Sequence, residues 1–227
     1  MIEMLTAGTF WLAVAQIIAI DILLGGDNAV VIALACRRLP EAQRNRGIFW
    51  GAFGAIALRI VLIFFALQLL ELPFLKIVGA LLLLWIGVKL LLPADAEEHS
   101  GIEGSAHLVG AIKTIVVADA VMSLDNVIAV AGAAHGNIVL VTFGILVSVP
   151  IIVWGSRLVL KLMDRFPIVI PLGAALLGWI AGSMLLGDAV LKPWTEGLPR
   201  MTPHAASLVG AVFVIVLGRL LGRRKVA

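Results

Sequence analysis

Tyrosine is missing from this 227-residue chain, cysteine occurs once, and charged residues make up only 14% of it. The last two scarcities each remove a class of protein. Cys36 has no second cysteine to pair with, which excludes a disulfide scaffold, and four scattered histidines offer no zinc-ligand spacing. So few charges leave too little polar surface for a water-soluble domain. Hydrophobic residues make up 62% of the chain and the mean hydropathy is +1.12, against roughly 45–50% apolar content in soluble domains. The bilayer is therefore the expected solvent. A net charge of +3 and a pI near 9.4 do not point to nucleic acid, because the basic residues sit at the ends of apolar runs and act there as topology determinants. The first run has neither a basic lead-in nor a small-residue cleavage site, so it is expected to stay as a span rather than leave as a signal peptide.

Windows of about 19 residues place apolar spans near 10–36, 47–70, 74–92, 108–134, 137–162, 168–187 and 205–222. The expected fold is all-α: a polytopic transmembrane helical bundle of seven spans forming a single membrane domain. Arg37, Arg38, Glu41, Arg44 and Arg46 separate the first two spans, and Glu71 and Pro73 the next two. An acidic stretch, 93–107, divides the chain near its middle. Seven crossings put Arg37, Arg38, Arg44, Arg46, Lys161, Arg165, Arg223, Arg224 and Lys225 on one side. The connections on the other side hold only Lys76, Lys192 and Arg200. By the positive-inside rule the N-terminus faces out and the C-terminus and the acidic loop lie in the cytoplasm. Trp11, Trp50 and Trp194 are the expected interface anchors.

The chain resembles itself. The segment DILLGGDN at 21–28 recurs as DAVMSLDN at 119–126, an offset of 98 residues, and the same offset carries Arg59 onto Arg157. In the third and sixth spans, Pro73, Gly79, Trp85 and Ile86 fall on Pro167, Gly173, Trp179 and Ile180 at an offset of 94, as one short deletion would produce. Residues 10–92 and 108–187 are thus read as two repeats and 205–222 as an added helix. A unit with an odd number of crossings starts its second copy from the opposite side of the membrane, so the repeats are inverted. Secondary transporters built this way hold their site near the midplane, where the copies meet.

Four aspartates in the spans, Asp21, Asp27, Asp119 and Asp125, need compensation, since each costs about 2.5–3.5 kcal/mol at a helix centre on the insertion scale. They could bridge helices as polar glue, pairing with Arg59 and Arg157, but intramembrane acids mark function by default. With Asn28 and Asn126 they supply up to six side chains bearing hard oxygen donors, with no sulfur or imidazole donors in this set. Such a set suits Mg²⁺, Ca²⁺ or Mn²⁺ rather than zinc or copper. On an ideal helix Asp21 and Asn28 lie within about 20° of each other while Asp27 is turned by about 120°. Gly25-Gly26 either unwinds to bring Asp27 inward or serves close helix packing. Ser123 stands at a weaker break in the second copy. Arg59 and Arg157 either neutralise the acids as internal gates or snorkel to the interface, and Lys113, six residues before Asp119, is a supporting or anchoring residue. The acidic loop either gathers cations at the cytoplasmic mouth or is a solvated connection.

These segments carry a family resemblance over essentially the whole chain. DILLGGDNAVVIALA and ADAVMSLDNVIAVAGAAHG resemble the two signature helices of the TerC family of bacterial integral membrane proteins, in its YjbE-type subgroup, related to the LysE exporter superfamily. The resemblance implies export of Mn²⁺ as substrate, with Asp21, Asp27, Asn28, Asp119, Asp125 and Asn126 as metal ligands, in the inner membrane of a bacterium. The long cytoplasmic extensions of some members are not seen here. The expectation is a transporter with no prosthetic group and no enzymatic step; a homo-oligomer is compatible with it. Two other readings stay open: a membrane scaffold that assists metal loading or assembly of partner proteins, and an exporter of another small solute. The latter would need recognition directed by arginine, since an all-acid site suits a substrate carboxylate poorly.

Overall fold

A computed structural model describes residues 11, 15, 18, 26–65, 72–92, 104–133, 138–195, 197–199 and 201–226, giving the helical backbone alone at 63–64, 104–106, 124–133, 138–145 and 223–226. The described residues are all-helical, with no strand. They form eight helices: α1 (Gly26–Cys36), α2 (Glu41–Phe64), α3 (Leu75–Leu91), α4 (Gly104–Ala133), α5 (Ile138–Arg165), α6 (Val169–Leu186), the single-turn α7 (Lys192–Thr195) and α8 (Thr202–Val226). Each expected apolar run contains one of the helices α1–α6 and α8 among the described residues, although most of the first run lies outside them, and α7 is an addition. Among the described residues, four stretches are long and apolar enough to cross a membrane: Glu41–Leu62, Leu146–Arg165, Val169–Leu186 and Thr202–Gly222.

Several helices outrun their apolar cores. Helix α2 starts at Glu41, six residues ahead of its hydrophobic run, with Gln43 and Arg44 donating their amides to the Pro40 carbonyl. Hydropathy registers only the part of a helix that faces lipid, so polar terminal turns escape it. The same reason places the ends of α4, α5 and α8 beyond the expected spans.

Helix ends are tied to one another across the bundle. Arg38 donates to the Lys89 carbonyl at 2.7 Å and to that of Leu92, and Arg37 donates to Leu90 O at 3.4 Å. Two guanidinium groups from the α1–α2 turn thus meet the carbonyls that the end of α3 leaves unpaired, where cations also complement the helix dipole. Arg44, which reaches the carbonyls of Arg37 and Leu39, pairs with Asp164 near the end of α5 at 2.9 Å. The other end of α3 is held by Asp188, just beyond α6. Its carboxylate accepts from the amides of Phe74 (3.2 Å), Lys76 (3.0 Å), Ile77 (3.2 Å) and Val190 (2.9 Å). Phe74 precedes α3 with φ 66, the one described non-glycine residue in the left-handed region, a geometry that costs on the order of 1–3 kcal/mol. Asp188 holds that amide in place.

The packing is exchanged between the two halves of the chain. Helix α2 lies along α4, α3 along α6 and α4, and α5 against α2. Gly173 of α6 lets Val30 and Leu34 of α1 approach, while its counterpart Gly79 of α3 does the same for Val121 of α4 and Met184 of α6. Helix α8 docks on α6 and α3. A Cβ at Gly178 or Gly182 would run into the carbonyls of Gly210 and Ala206, one at Gly210 into that of Gly178. Small residues four apart bring two helix backbones together, as in membrane interiors where dispersion replaces the hydrophobic effect.

Candidate metal site in the bundle interior

The α2–α4 contact carries a charge pair in the interior. Arg59, 3% exposed, donates from Nη2 to Asp119 Oδ1 at 2.5 Å and from Nε to Ser123 Oγ at 3.0 Å. Ser123, one turn after Asp119 on α4, donates to Asp119 Oδ2 at 3.2 Å. Both carboxylate oxygens and two arginine nitrogens are engaged, which is the condition for a buried ion pair to be tolerated. The break expected near Ser123 is not seen: α4 runs unbroken from Gly104 to Ala133, and the Ser123 hydroxyl is used by the pair.

Helix α1 brings Asp27 and Asn28 toward the same region. Asn28 is 3% exposed, and neither its Oδ1 nor its Nδ2 has a hydrogen-bond partner among the described residues. Asp27 Oδ1 is likewise buried without one. Asp27 lies within electrostatic range of both Asp119 and Arg59, so acids from the two halves share one environment. An unpaired buried amide costs about 1–3 kcal/mol, and such groups call for a specific explanation. Gly26 is helical, and no described residue lies within 4 Å of where its Cβ would stand. Gly25 and Asp21 lie outside the described residues, as do the side chains of Asp125 and Asn126 and the acidic stretch 93–103. Among the described residues no group of three or more His, Cys, Asp or Glu side chains is placed to hold a metal ion.

The family model described as "Integral membrane protein TerC family" matches residues 6–226. The chain belongs to the TerC family. This TerC chain is 47% identical over 183 residues, 81% of itself and 83% of the relative, to "Uncharacterized membrane protein YjbE" of Bacillus subtilis (strain 168). It is 26% identical to "Uncharacterized membrane protein YceF" of the same organism, over 80% of itself and 74% of the relative. It is 27% identical to "UPF0053 inner membrane protein YgdQ" of Escherichia coli (strain K12), over 78% and 81%. No solved structure matches the chain significantly.

The duplication does not give its two arginines the same surroundings. Arg59 is buried in the TerC chain's interior, whereas Arg157 is exposed and lines an outer groove between α2 and α5. Lys113 is also exposed, on the early part of α4. Sequence reasoning passed over Asp188. Burial opposes its ionisation, but the amides of Val190, Ile77, Phe74 and Lys76 outweigh that and hold its pKa below the usual carboxylate value. Its side chain is covered, yet it sits at the bundle's end with little protein around it. The signal was available as an aspartate directly after an apolar run, beside the start of a neighbouring helix that has no cap of its own.

Proposed function

We propose that this TerC-family protein is a secondary transporter that exports divalent cations, Mn²⁺ foremost, from the cytoplasm of a bacterium, through a site between two inverted three-helix units. The observation that carries the reading is the buried Arg59–Asp119 pair beside the unpartnered polar atoms of Asp27 and Asn28. Asp21, Asp125 and Asn126 complete the proposed ligand set by the duplication. The exchanged packing of α2 on α4 and of α6 on α1 supports the inverted architecture and the seven crossings. The basic turn at Arg37, Arg38 and Arg44 meets the ends of α3 and α5 at one face, which supports a cytoplasmic assignment of that face and an outward N-terminus.

Arg59 serves in this reading as the counter-cation of the empty site. A metal arriving among hard oxygen donors takes over the neutralisation of Asp119 and frees the guanidinium, so Asp119 is never left without a counter-charge. Protons returning to the vacated carboxylates would couple export to a proton gradient. No covalent chemistry is required.

Flux of Mn²⁺ by the purified protein in vesicles, compared with Asp119→Ala and Asp125→Ala, tests the reading. Flux in the wild type and none in either variant supports it. Binding without flux in the wild type would replace it with the scaffold reading, and flux of Mn²⁺ equal in all three proteins would remove the site.

A further inference from the structure

The outer groove between α2 and α5 is separate from the buried pair. Its cavity of about 560 Å³ is lined by Arg44, Asn45, Trp154, Arg157, Leu158 and Lys161, with Glu41 and Asp164 at the same end. Trp154, Arg157, Leu158 and Lys161 follow at i, i+3, i+4 and i+7 and so share one face of α5. Trp154 is 67% exposed and Leu158 54%, an apolar surface that something must cover.

Depth follows from length. Helix α5 has 28 residues and α2 has 24, so they span about 42 Å and about 36 Å against roughly 30 Å of hydrocarbon. The excess of α5 belongs at its C-terminal end, where Lys161, Asp164 and Arg165 stand, since its first turn is Ile138-Val-Leu-Val. Arg157 and Lys161 therefore reach headgroup level, and Trp154 lies at the boundary that tryptophan prefers.

Charge settles the class of ligand. Arg44 is engaged by Asp164 at 2.9 Å. Among the described residues, Arg157 and Lys161 have no ion-pair or hydrogen-bond partner and face one unpaired acid, Glu41. We propose that this groove binds an anionic phospholipid, its phosphate held by Arg157 and Lys161 and its acyl chains lying along Trp154 and Leu158. Basic pockets between helices at the membrane surface recognise such headgroups. Free phosphate would leave the apolar wall uncovered.

The test is native mass spectrometry and thermal unfolding of the purified full chain with phosphatidylglycerol, with phosphatidylcholine, and with inorganic phosphate alone. Phosphatidylglycerol should stay bound and raise Tm in the wild type, and R157Q/K161Q should retain it about tenfold less or weaker still. R157K/K161R should bind as the wild type does, which separates charge from folding. The proposal is overturned by equal retention in R157Q/K161Q, by equal retention of phosphatidylcholine, or by a Tm rise with inorganic phosphate as large as with the lipid. Loss of a dimer rather than of lipid in R157Q/K161Q would also overturn it, by making a second copy the occupant.

Discussion

Arg59 of α2 and Asp119 of α4 meet at 2.5 Å, both buried, so one ion pair joins the two halves of the chain. Removing one partner strands the other charge, and R59L or D119L alone should destabilise the protein by about 3–5 kcal/mol. The double variant R59L/D119L should recover most of that stability while losing Mn²⁺ flux. If Arg59 is the stand-in for a cation, Mn²⁺ should raise the Tm of R59L more than that of the wild type, because ligand stabilises what it binds. Unfolding in detergent with and without Mn²⁺ checks both, and single variants as stable as the wild type would dismiss the pair as an anchor.

Asn28 separates function from folding. Its amide is buried with neither polar atom partnered among the described residues, so N28L replaces an unsatisfied group with an apolar one of similar size. The fold should change by less than about 1 kcal/mol or become more stable, and Mn²⁺ flux should fall to background. A paired thermal unfolding and vesicle flux measurement decides it; loss of stability together with flux would mean that Asn28 is structural.

Much of this molecule was legible from residue order, and the remainder was hidden for identifiable reasons. Apolar run length located every long helix among the described residues, because backbone groups in lipid must be satisfied within the helix itself. The duplication led to Asp27, Asn28, Arg59 and Asp119, and the structure brings these toward one region. It also suggested equivalent tasks for Arg59 and Arg157, which occupy unlike environments, since sequence symmetry does not specify which face of a helix meets protein and which meets lipid. Asp188 was missed because its role depends on α3 and α6 lying side by side over a separation of more than a hundred residues. The polar first turns of α2 were missed because hydropathy carries no signal for helix in water.

Asp188 makes an acid-side prediction. Its folded pKa lies below the ordinary carboxylate value of about 3.9, so the stability it contributes is complete above that pH and is lost as pH falls through the folded value. Between pH 5 and 8 this group should produce no slope. D188A should lower Tm by a few degrees at neutral pH, by freeing the start of α3, and the difference from wild type should shrink toward acid. Tm measured across pH 3–7 for both proteins checks the sign, and a difference that grows toward acid would contradict it.

The two glycine sites make opposite forecasts. At Gly182 a Cβ would collide with the Ala206 carbonyl, an atom of the α8 backbone that cannot turn aside as a side chain can. G182A should therefore force α6 and α8 apart, cost about 3 kcal/mol or more, and loosen α8 toward proteolysis. At Gly26 no described residue lies within 4 Å of the added carbon and the residue is helical, so G26A should stabilise the fold by up to about 1 kcal/mol. That same stiffening bears on transport. If α1 must unwind beside Asp27 during the cycle, G26A will slow Mn²⁺ flux while raising Tm, a combination that a packing role for the glycine does not produce. Unchanged flux with higher Tm would assign Gly26 to packing and leave α1 intact through the cycle.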